Sequence, residues 1–258
     1  MTAAARLQVE ELSRQFGGLR AVEGLSFDVF DHEIVSIIGP NGAGKTTVFN
    51  VITNLYPPTG GTIRVSGVDL RNVRQHRVAA AGVARTFQNL RIFPNLTAKE
   101  NVLVGLTLSR RTSLLTTLLR LPSYRREEAE LDAAADALLD LLELRQVASQ
   151  LARNLAYGDQ RRVEIARALA VRPCLLLLDE PAAGMNPAEV DGLGLLVRRL
   201  RDDFNQTILL VEHHMSLVMS VSDRVIVMDE GRKIMEGTPQ QVRADERVIR
   251  AYLGTAEA

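Results

Sequence analysis

The sequence predicts an α/β fold in which helices cover a largely parallel sheet, with an antiparallel β subdomain at the N-terminus and an inserted helical subdomain. Continuous apolar runs at 34–38 and 175–178 are typical of parallel strands that are buried on both faces. Residues 7–30 alternate instead, as short strands do, on either side of a turn at Gly17 and Gly18. From 95 to about 152, helix formers dominate and strand signals vanish.

The composition restricts the class of protein. A chain of 258 residues with 46% hydrophobic content can form one large domain or two small ones. Lys plus Arg (31) balances Asp plus Glu (31), so no overall field attracts nucleic acid or acidic lipid. The single cysteine, Cys174, excludes an internal disulfide, and at the head of an apolar run it is expected to be a packed core thiol rather than a nucleophile. We expect no signal peptide and no membrane-spanning segment.

A glycine-rich segment follows the first apolar run directly. It fits the pattern G-x-x-x-x-G-K-[ST] of a phosphate-binding loop, and its residues are Gly39, Pro40, Asn41, Gly42, Ala43, Gly44, Lys45, Thr46 and Thr47. Backbone N–H groups of such a loop converge on phosphate oxygens, and the next helix points its positive end there. Lys45 would reach the β and γ phosphates, and the Thr46 hydroxyl would ligate Mg²⁺. The alternative is a glycine-rich turn that matches by accident, which the preceding strand disfavours.

Two residues near the predicted strand ends have more than one interpretation. Phe16, near the edge of the antiparallel sheet, could stack on an adenine or simply pack. After the loop, a helix is predicted over 48–55, followed by strands at 62–65 and 83–87. Gln88 stands just past the second of these strands, where its amide could contact Mg²⁺ or an attacking water, or could be an ordinary polar residue at a strand end.

The helical middle contains a basic amphipathic stretch. Its leucine stripe is Leu114, Leu115, Leu118 and Leu119, ringed by Arg110, Arg111, Arg120, Arg125 and Arg126. Such a helix folds onto its own subdomain or forms a surface for docking or for a membrane. A second helix follows Pro122, with Leu131, Ala135, Leu138 and Leu142 on one face.

Candidate reactive residues follow two later apolar strands. The run 175–178 ends at Asp179 and Glu180, and the run 207–211 ends at Glu212 and His213. Ligands gather at the carboxyl ends of strands in open α/β sheets, so these side chains should lie beside the phosphate loop. Asp179 is then a candidate partner of the Mg²⁺ shell, Glu180 a candidate general base, and His213 a catalytic candidate rather than a structural histidine.

The remaining segments complete the predicted fold. Residues 154–162 lead into a helix predicted over 163–170, and the glycine at its start, Gly158, is another site suited to an anion. Another helix is predicted over 187–201. Strands at 223–229 and 232–236 pair around Glu230 and Gly231, and a helical tail runs from 238 to 253.

In this order, the motifs resemble those of the nucleotide-binding subunits of ATP-binding cassette (ABC) transporters, over nearly the whole chain. The resemblance implies a P-loop NTPase (RecA-like) core and an ATPase that works with Mg²⁺ as a head-to-tail dimer, each phosphate loop facing the signature of its partner. It implies that Phe16 stacks on adenine, Gln88 senses Mg²⁺ and the γ phosphate, and Asp179 supports the metal. Glu180 would be the base, and His213 would hold the γ phosphate and water.

Two segments depart from the family pattern. The signature L-S-G-G-Q is replaced by Leu155, Ala156, Tyr157, Gly158 and Asp159. The serine hydroxyl that meets the partner's γ phosphate is therefore absent, although backbone donors at Gly158 could still serve. After Glu180, the chain has Asn186 where the family commonly has Asp, so hydrogen bonding is kept and charge is lost.

The chain resembles the ATPase subunit of the branched-chain amino-acid importer in these departures, in the leucine-rich insertion and in the C-terminal residues 248–254. Of that importer's two ATPase types, the insertion favours the larger. The resemblance implies a peripheral protein on the cytoplasmic face of the inner membrane. Its partners would be permease subunits, a second identical or related ATPase subunit and, indirectly, an extracytoplasmic solute-binding protein. The lipopolysaccharide exporter's ATPase is an alternative, and it usually keeps L-S-G-G.

The resemblance also divides the chain. Residues 1–91 and 171–240 would form the nucleotide-binding core, 92–170 the helical subdomain with the signature, and 241–258 the tail.

A rival hypothesis of another class is a soluble cassette protein that acts on nucleic acid or ribosomes and uses ATP as a conformational switch. Such proteins usually carry two cassettes or a long coiled coil, and the balanced charge argues against nucleic acid as a partner. A purely structural nucleotide-binding module is disfavoured because candidates for base, metal ligand and histidine are all present.

Overall fold

The computed structural model describes residues 5–109 and 122–253. Its internal contacts divide the chain into two compact units, one formed by residues 1–88 and 174–258 and the other by residues 89–173. In the part described, no helix combines the length and apolar character that a bilayer crossing requires. The leucine stripe predicted at 114–119, with Arg110, Arg111 and Arg120, lies outside the described residues.

The first unit contains two sheets. Its strands are β1 (Ala5–Phe16), β2 (Leu19–Phe30), β3 (Ile34–Ile38), β4 (Gly60–Val65), β5 (Val68–Asp69), β6 (Val83–Arg85), β7 (Leu175–Asp179), β8 (Ile208–Val211), β9 (Arg224–Asp229) and β10 (Arg232–Gly237). The six-stranded sheet has the order β10-β9-β3-β8-β7-β6, with β10 antiparallel to β9 and the other neighbours parallel. The four-stranded sheet has the order β2-β1-β4-β5 and is antiparallel. The predicted α/β class is thereby confirmed.

The helices cover these sheets or form the second unit. They are α1 (Lys45–Ile52), α2 (Ala98–Leu106), α3 (Pro122–Leu141), α4 (Tyr157–Ala170), α5 (Pro187–Asp202), α6 (Met215–Val221), α7 (Pro239–Ala244) and α8 (Glu246–Leu253). Short 3-10 segments lie at Leu70–Asn72, Gln75–Arg77, Thr107–Ser109, Arg145–Val147 and Ala152–Asn154.

One apolar cluster joins the two sheets of the first unit. The antiparallel sheet contributes its inward residues, among them Leu7 and Leu25, and the parallel sheet contributes Ile37 and Leu209. Between them α1 is buried through residues that include Phe49. Each fully buried aliphatic or aromatic side chain contributes roughly 1.5–3 kcal/mol to the stability of the fold. The packing therefore holds α1 firmly between both sheets. Cys174 packs against the same cluster, as its apolar context predicts.

The second unit is helical in its described part. A capping box opens α2, because the Thr97 hydroxyl accepts the Glu100 N–H while the Glu100 carboxylate accepts the Thr97 N–H. Gly105 in α2 lies close to α4, since a Cβ there would come within 2.6 Å of the Arg167 carbonyl oxygen. Of the apolar face predicted for α3, Ala135 and Leu142 are buried whereas Leu131 and Leu138 are half-buried, and Arg125 is exposed.

Two predicted helix boundaries were wrong. The helix expected over 48–55 spans Lys45–Ile52, because Asn54 adopts a left-handed conformation (φ 53°) that ends it before Pro57 is reached. The helix expected to begin at Val163 begins at Tyr157, so the altered signature forms its first turn. Asp159 lies in that turn, where the positive end of the helix dipole stabilises a carboxylate.

Replacing a core leucine of the parallel sheet should destabilise the protein far more than replacing a surface leucine. Leu209→Ala in β8 removes a side chain with 0% exposure and should lower the free energy of unfolding by about 2–5 kcal/mol. The control Leu195→Ala in α5, where the side chain is 63% exposed, should change it by about 0.5 kcal/mol or less. Urea denaturation followed by circular dichroism measures both, and equal losses would contradict this description of the core.

Candidate functional site

The phosphate loop connects β3 to α1 and is held by segments distant in sequence. Gly44 has φ 94°, and a Cβ there would lie 2.2 Å from the Ala21 carbonyl oxygen, so only glycine fits. The Gly231 N–H donates to the Ala43 carbonyl at 3.2 Å, and the Gly231 carbonyl accepts from the Glu23 N–H at 2.9 Å. Strand β2 at Ala21 and the turn at Gly231 therefore fix the loop from outside.

Lys45 turns back over this loop. Its ammonium donates to the carbonyl oxygens of Gly39 and Pro40, both at 2.8 Å, and the residue is 5% exposed. Burial lowers the pKa of the Lys45 amine below its ordinary value, and the Glu180 carboxylate acts in the opposite direction. The loop thus carries a nearly enclosed cation, with carbonyls as its partners.

The loop borders an open cleft of about 660 Å³. Phe16, Glu180 and His213 line it together with loop residues 41–42 and 44–47. Gly42 faces free space, since a Cβ built there would meet nothing within 4 Å. The structure therefore brings together the predicted loop, the predicted aromatic residue and two of the predicted reactive side chains.

The Phe16 ring belongs to an aromatic and cationic cluster at the end of β1. Tyr56 meets it edge-on, with ring centroids 5.2 Å apart and an interplanar angle of 85°. The Arg14 guanidinium lies 4.4 Å from the Phe16 centroid and 5.5 Å from that of Tyr56. Sequence reasoning missed both: Tyr56 comes from a different segment of the chain, and Arg14, two residues before Phe16 in β1, has no distinctive pattern around it.

Glu180 is held between the two other predicted reactive residues. Its Oε2 accepts from the Gln88 Nε2 at 2.7 Å, and its Oε1 lies 2.8 Å from the His213 Nε2. Glu180 has φ 45°, a left-handed conformation that a side chain other than glycine adopts at a cost of roughly 1–3 kcal/mol. Such strain persists where surrounding contacts fix the residue, and here both carboxylate oxygens are fixed.

Asp179, the last residue of β7, is buried and ion-paired. Its Oδ2 accepts from the Arg85 guanidinium at 2.7 Å, with side-chain exposures of 2% and 6%. Arg85 also donates to Asn50 Oδ1 at 2.8 Å and Thr53 Oγ1 at 3.1 Å in and after α1. Sequence reasoning missed Arg85. The only signal was an arginine within the otherwise apolar strand 83–85.

The signature segment lies in the second unit. Ala156 caps α4 without any side-chain hydrogen bond, Tyr157 is exposed and Leu155 is buried. Gly158 and Asp159 follow in the first turn. The same helix carries the buried ion pair Arg161–Glu164, with 2.8 Å between Nη1 and Oε2.

Asn186 has a structural partner. Its Oδ1 accepts from the Glu189 N–H at 3.0 Å, and the Glu189 carboxylate accepts from the Asn186 N–H at 2.9 Å. This capping box starts α5. The Asn186 side chain, which can accept hydrogen bonds as Asp would, thus uses its acceptor oxygen to cap α5 within the same chain.

Comparison with known proteins identifies the family. A profile of the ABC transporter family matches residues 22–183, and one described as branched-chain amino acid ATP-binding cassette transporter matches residues 232–258. BraF of Pseudomonas aeruginosa, a high-affinity branched-chain amino acid transport ATP-binding protein, is 48% identical over 97% of this chain and 98% of its own length. LptB of Haemophilus influenzae, a lipopolysaccharide export system ATP-binding protein, is 34% identical over 96% and 97%.

Solved structures agree in fold. The ADP conformation of MJ1267, an ATP-binding cassette of an ABC transporter, superposes with a TM-score of 0.84 at 30% identity, covering 97% of this chain and 99% of that one. The dimeric post-hydrolysis state of MJ0796, bound to ADP and Pi, has a TM-score of 0.75 at 24% identity, covering 90% and 98%. The second likeness supports the fold alone.

Removing the guanidinium that pairs with Asp179 should destabilise the protein strongly. Arg85→Met leaves the buried Asp179 carboxylate without its ion-pair partner and should lower the free energy of unfolding by about 3–5 kcal/mol. The control Arg232→Met breaks an exposed pair with Glu23 and should leave stability nearly unchanged. Urea denaturation of both variants tests this, and a tolerant Arg85→Met variant would contradict the importance of the buried pair.

Proposed function

The chain belongs to the ABC transporter family, and we propose that it is the ATP-hydrolysing subunit of an importer of branched-chain amino acids. The observation that carries the proposal is that one cleft joins a phosphate loop to the Glu180–His213 pair. The similarity to BraF and the profile match at 232–258 support the solute class. The lower identity to LptB makes lipopolysaccharide export the weaker alternative.

We propose that the cleft holds ATP between Phe16 and the phosphate loop. Phe16 would stack on adenine, and residues 39–47 would bind the phosphates. The enclosed Lys45 ammonium would exchange carbonyl partners for phosphate oxygens, which are stronger acceptors because they are charged. Gly42 faces the free space in which a ligand's oxygens could approach the backbone.

The residues present also fit Mg²⁺. Such an ion keeps several waters and takes only one or two protein ligands beside substrate phosphates. Within the described residues no cluster of three or more His, Cys, Asp or Glu side chains could hold a metal, so a cage of such side chains is not formed there. We propose Thr46 and Gln88 as ligands, with Asp179 supporting the shell from beneath. Bound there, the ion would neutralise charge on the phosphate oxygens.

Glu180 is proposed as the general base. It would accept a proton from the attacking water while the water oxygen bonds to the γ phosphorus and the bond to the ADP oxygen breaks. Gln88 and His213 already hold both of its oxygens, so a small rearrangement of either partner frees an acceptor for water. His213 would then contact the γ phosphate and the water.

The second half of the site is proposed to come from another ATPase subunit, identical or related, in a head-to-tail dimer. Residues 155–159 would face the partner's γ phosphate. Because Ala156 lacks a hydroxyl, the free N–H groups of the first turn of α4 would supply the contact. Permease subunits would bind the dimer at the cytoplasmic face of the inner membrane, and a solute-binding protein would act on the far side.

A base substitution and a phosphate-loop substitution should separate chemistry from binding. Glu180→Gln keeps the shape of the side chain but removes the base, so ATP turnover should fall about 10²–10⁴-fold while ATP affinity and ATP-driven dimerisation remain. Lys45→Ala removes the enclosed cation and should weaken ATP affinity about tenfold or more. Phosphate release and nucleotide titration measure these effects. Wild-type turnover in Glu180→Gln would overturn the base assignment, and unchanged affinity in Lys45→Ala would overturn that of the loop.

The solute class needs a test in cells. Deleting the coding sequence should abolish high-affinity uptake of labelled leucine, isoleucine and valine, and the wild-type copy should restore it, whereas the Glu180→Gln copy should not. Uptake of an unrelated solute such as proline serves as the control. Unaltered branched-chain uptake together with accumulation of lipopolysaccharide precursors would replace the importer with the exporter.

A further inference from the structure

Glu212 is a buried carboxylate to which the proposed chemistry assigns no role. It follows the last residue of β8 directly and is 1% exposed. Its Oε1 accepts the Ala182 N–H at 2.7 Å, and its Oε2 accepts the N–H groups of His213 at 2.7 Å and His214 at 3.0 Å. One carboxylate therefore satisfies three backbone donors.

These donors belong to two different loops. Ala182 lies in the loop after β7, two residues beyond Glu180, whereas His213 and His214 begin the connection from β8 to α6. The same junction carries a backbone bond, from the Glu180 N–H to the Val211 carbonyl at 2.8 Å. Glu212 thus ties the loop that bears the proposed base to the loop that bears its histidine partner.

Packing alone does not explain a charged group at this position. A buried carboxylate is unfavourable unless donors surround it, and an apolar or amide side chain could fill a similar volume. An amide has a single acceptor oxygen, so its N–H₂ group would face one set of backbone N–H groups, donor against donor, and no hydrogen bond would form there. Only a carboxylate supplies acceptors on both sides, which is what a clamp between two N–H-bearing loops requires.

The clamp determines the contact between His213 and the proposed base Glu180. The His213 Nε2 and Glu180 Oε1 atoms are 2.8 Å apart, and this separation depends on how the two loops are placed. Glu180 is also held in a left-handed conformation (φ 45°) that its surroundings must maintain. We propose that Glu212 is a positioning residue that keeps Glu180 and His213 in register for ATP hydrolysis by clamping both loops. The inference rests on the proposed function.

The test compares two substitutions at Glu212 in the full chain assembled with its membrane partners. Glu212→Gln removes one acceptor, and Glu212→Asp keeps the charge but is one methylene too short to span both loops. In both variants kcat for ATP should fall at least about tenfold while KM and ATP affinity change less than about twofold. The matched control is Thr207→Val at the opposite end of β8, where the buried Thr207 hydroxyl accepts the His32 N–H at 3.0 Å.

A spectroscopic measurement distinguishes positioning from general structural support. In ¹⁵N-histidine-labelled protein, the His213 Nε2 resonance should move in both Glu212 variants and stay in place in Thr207→Val. Wild-type kcat or an unmoved resonance in folded Glu212→Gln overturns the inference. If that variant does not fold, the same two results in Glu212→Asp overturn it. If the wild-type complex itself releases no phosphate from ATP, the proposed function has failed instead.

Discussion

The candidate site depends on the complete burial of three adjacent parallel strands. In β3, β8 and β7 every residue is buried, so polar side chains that must reach solvent or a ligand can do so only where the strands end. The register aligns Ile37 and Asp179 with the same residue, Val211, so the three ends are level. The phosphate loop, the acids and the histidine therefore emerge at one edge of the sheet, as ligand-binding groups do in open α/β sheets.

Burial also places charges where water cannot stabilise them, and the chain compensates each in a different way. Asp179 pairs with a guanidinium, Glu212 collects backbone N–H groups, and the Lys45 ammonium is bound by loop carbonyls. A lost partner leaves a charge in a medium of low dielectric constant, which costs several kcal/mol. The same compensation holds the groups rigidly, so polar contacts rather than apolar packing orient the reactive side chains.

The sequence was sufficient to predict the fold class and the neighbourhood of Gln88, Glu180 and His213, because strand periodicity and the rule for strand ends are local or topological. It did not reveal Arg85 beside Asp179, since that pair joins positions 94 residues apart and no local pattern links the two. The start of α4 at Tyr157 was missed for a related reason. Ala156 offers no capping side chain, so the usual signal for the start of a helix is absent.

The support of the phosphate loop from outside has a consequence for synthesis. The loop is held by the turn at Gly231, which is made nearly 190 residues later than Ala43. A chain still emerging from the ribosome therefore has the complete nucleotide motif, and the strand at Ala21, long before it has the contact from Gly231. The loop therefore lacks its contact with Gly231 until the hairpin of β9 and β10 has left the exit tunnel, when the first unit is almost fully translated.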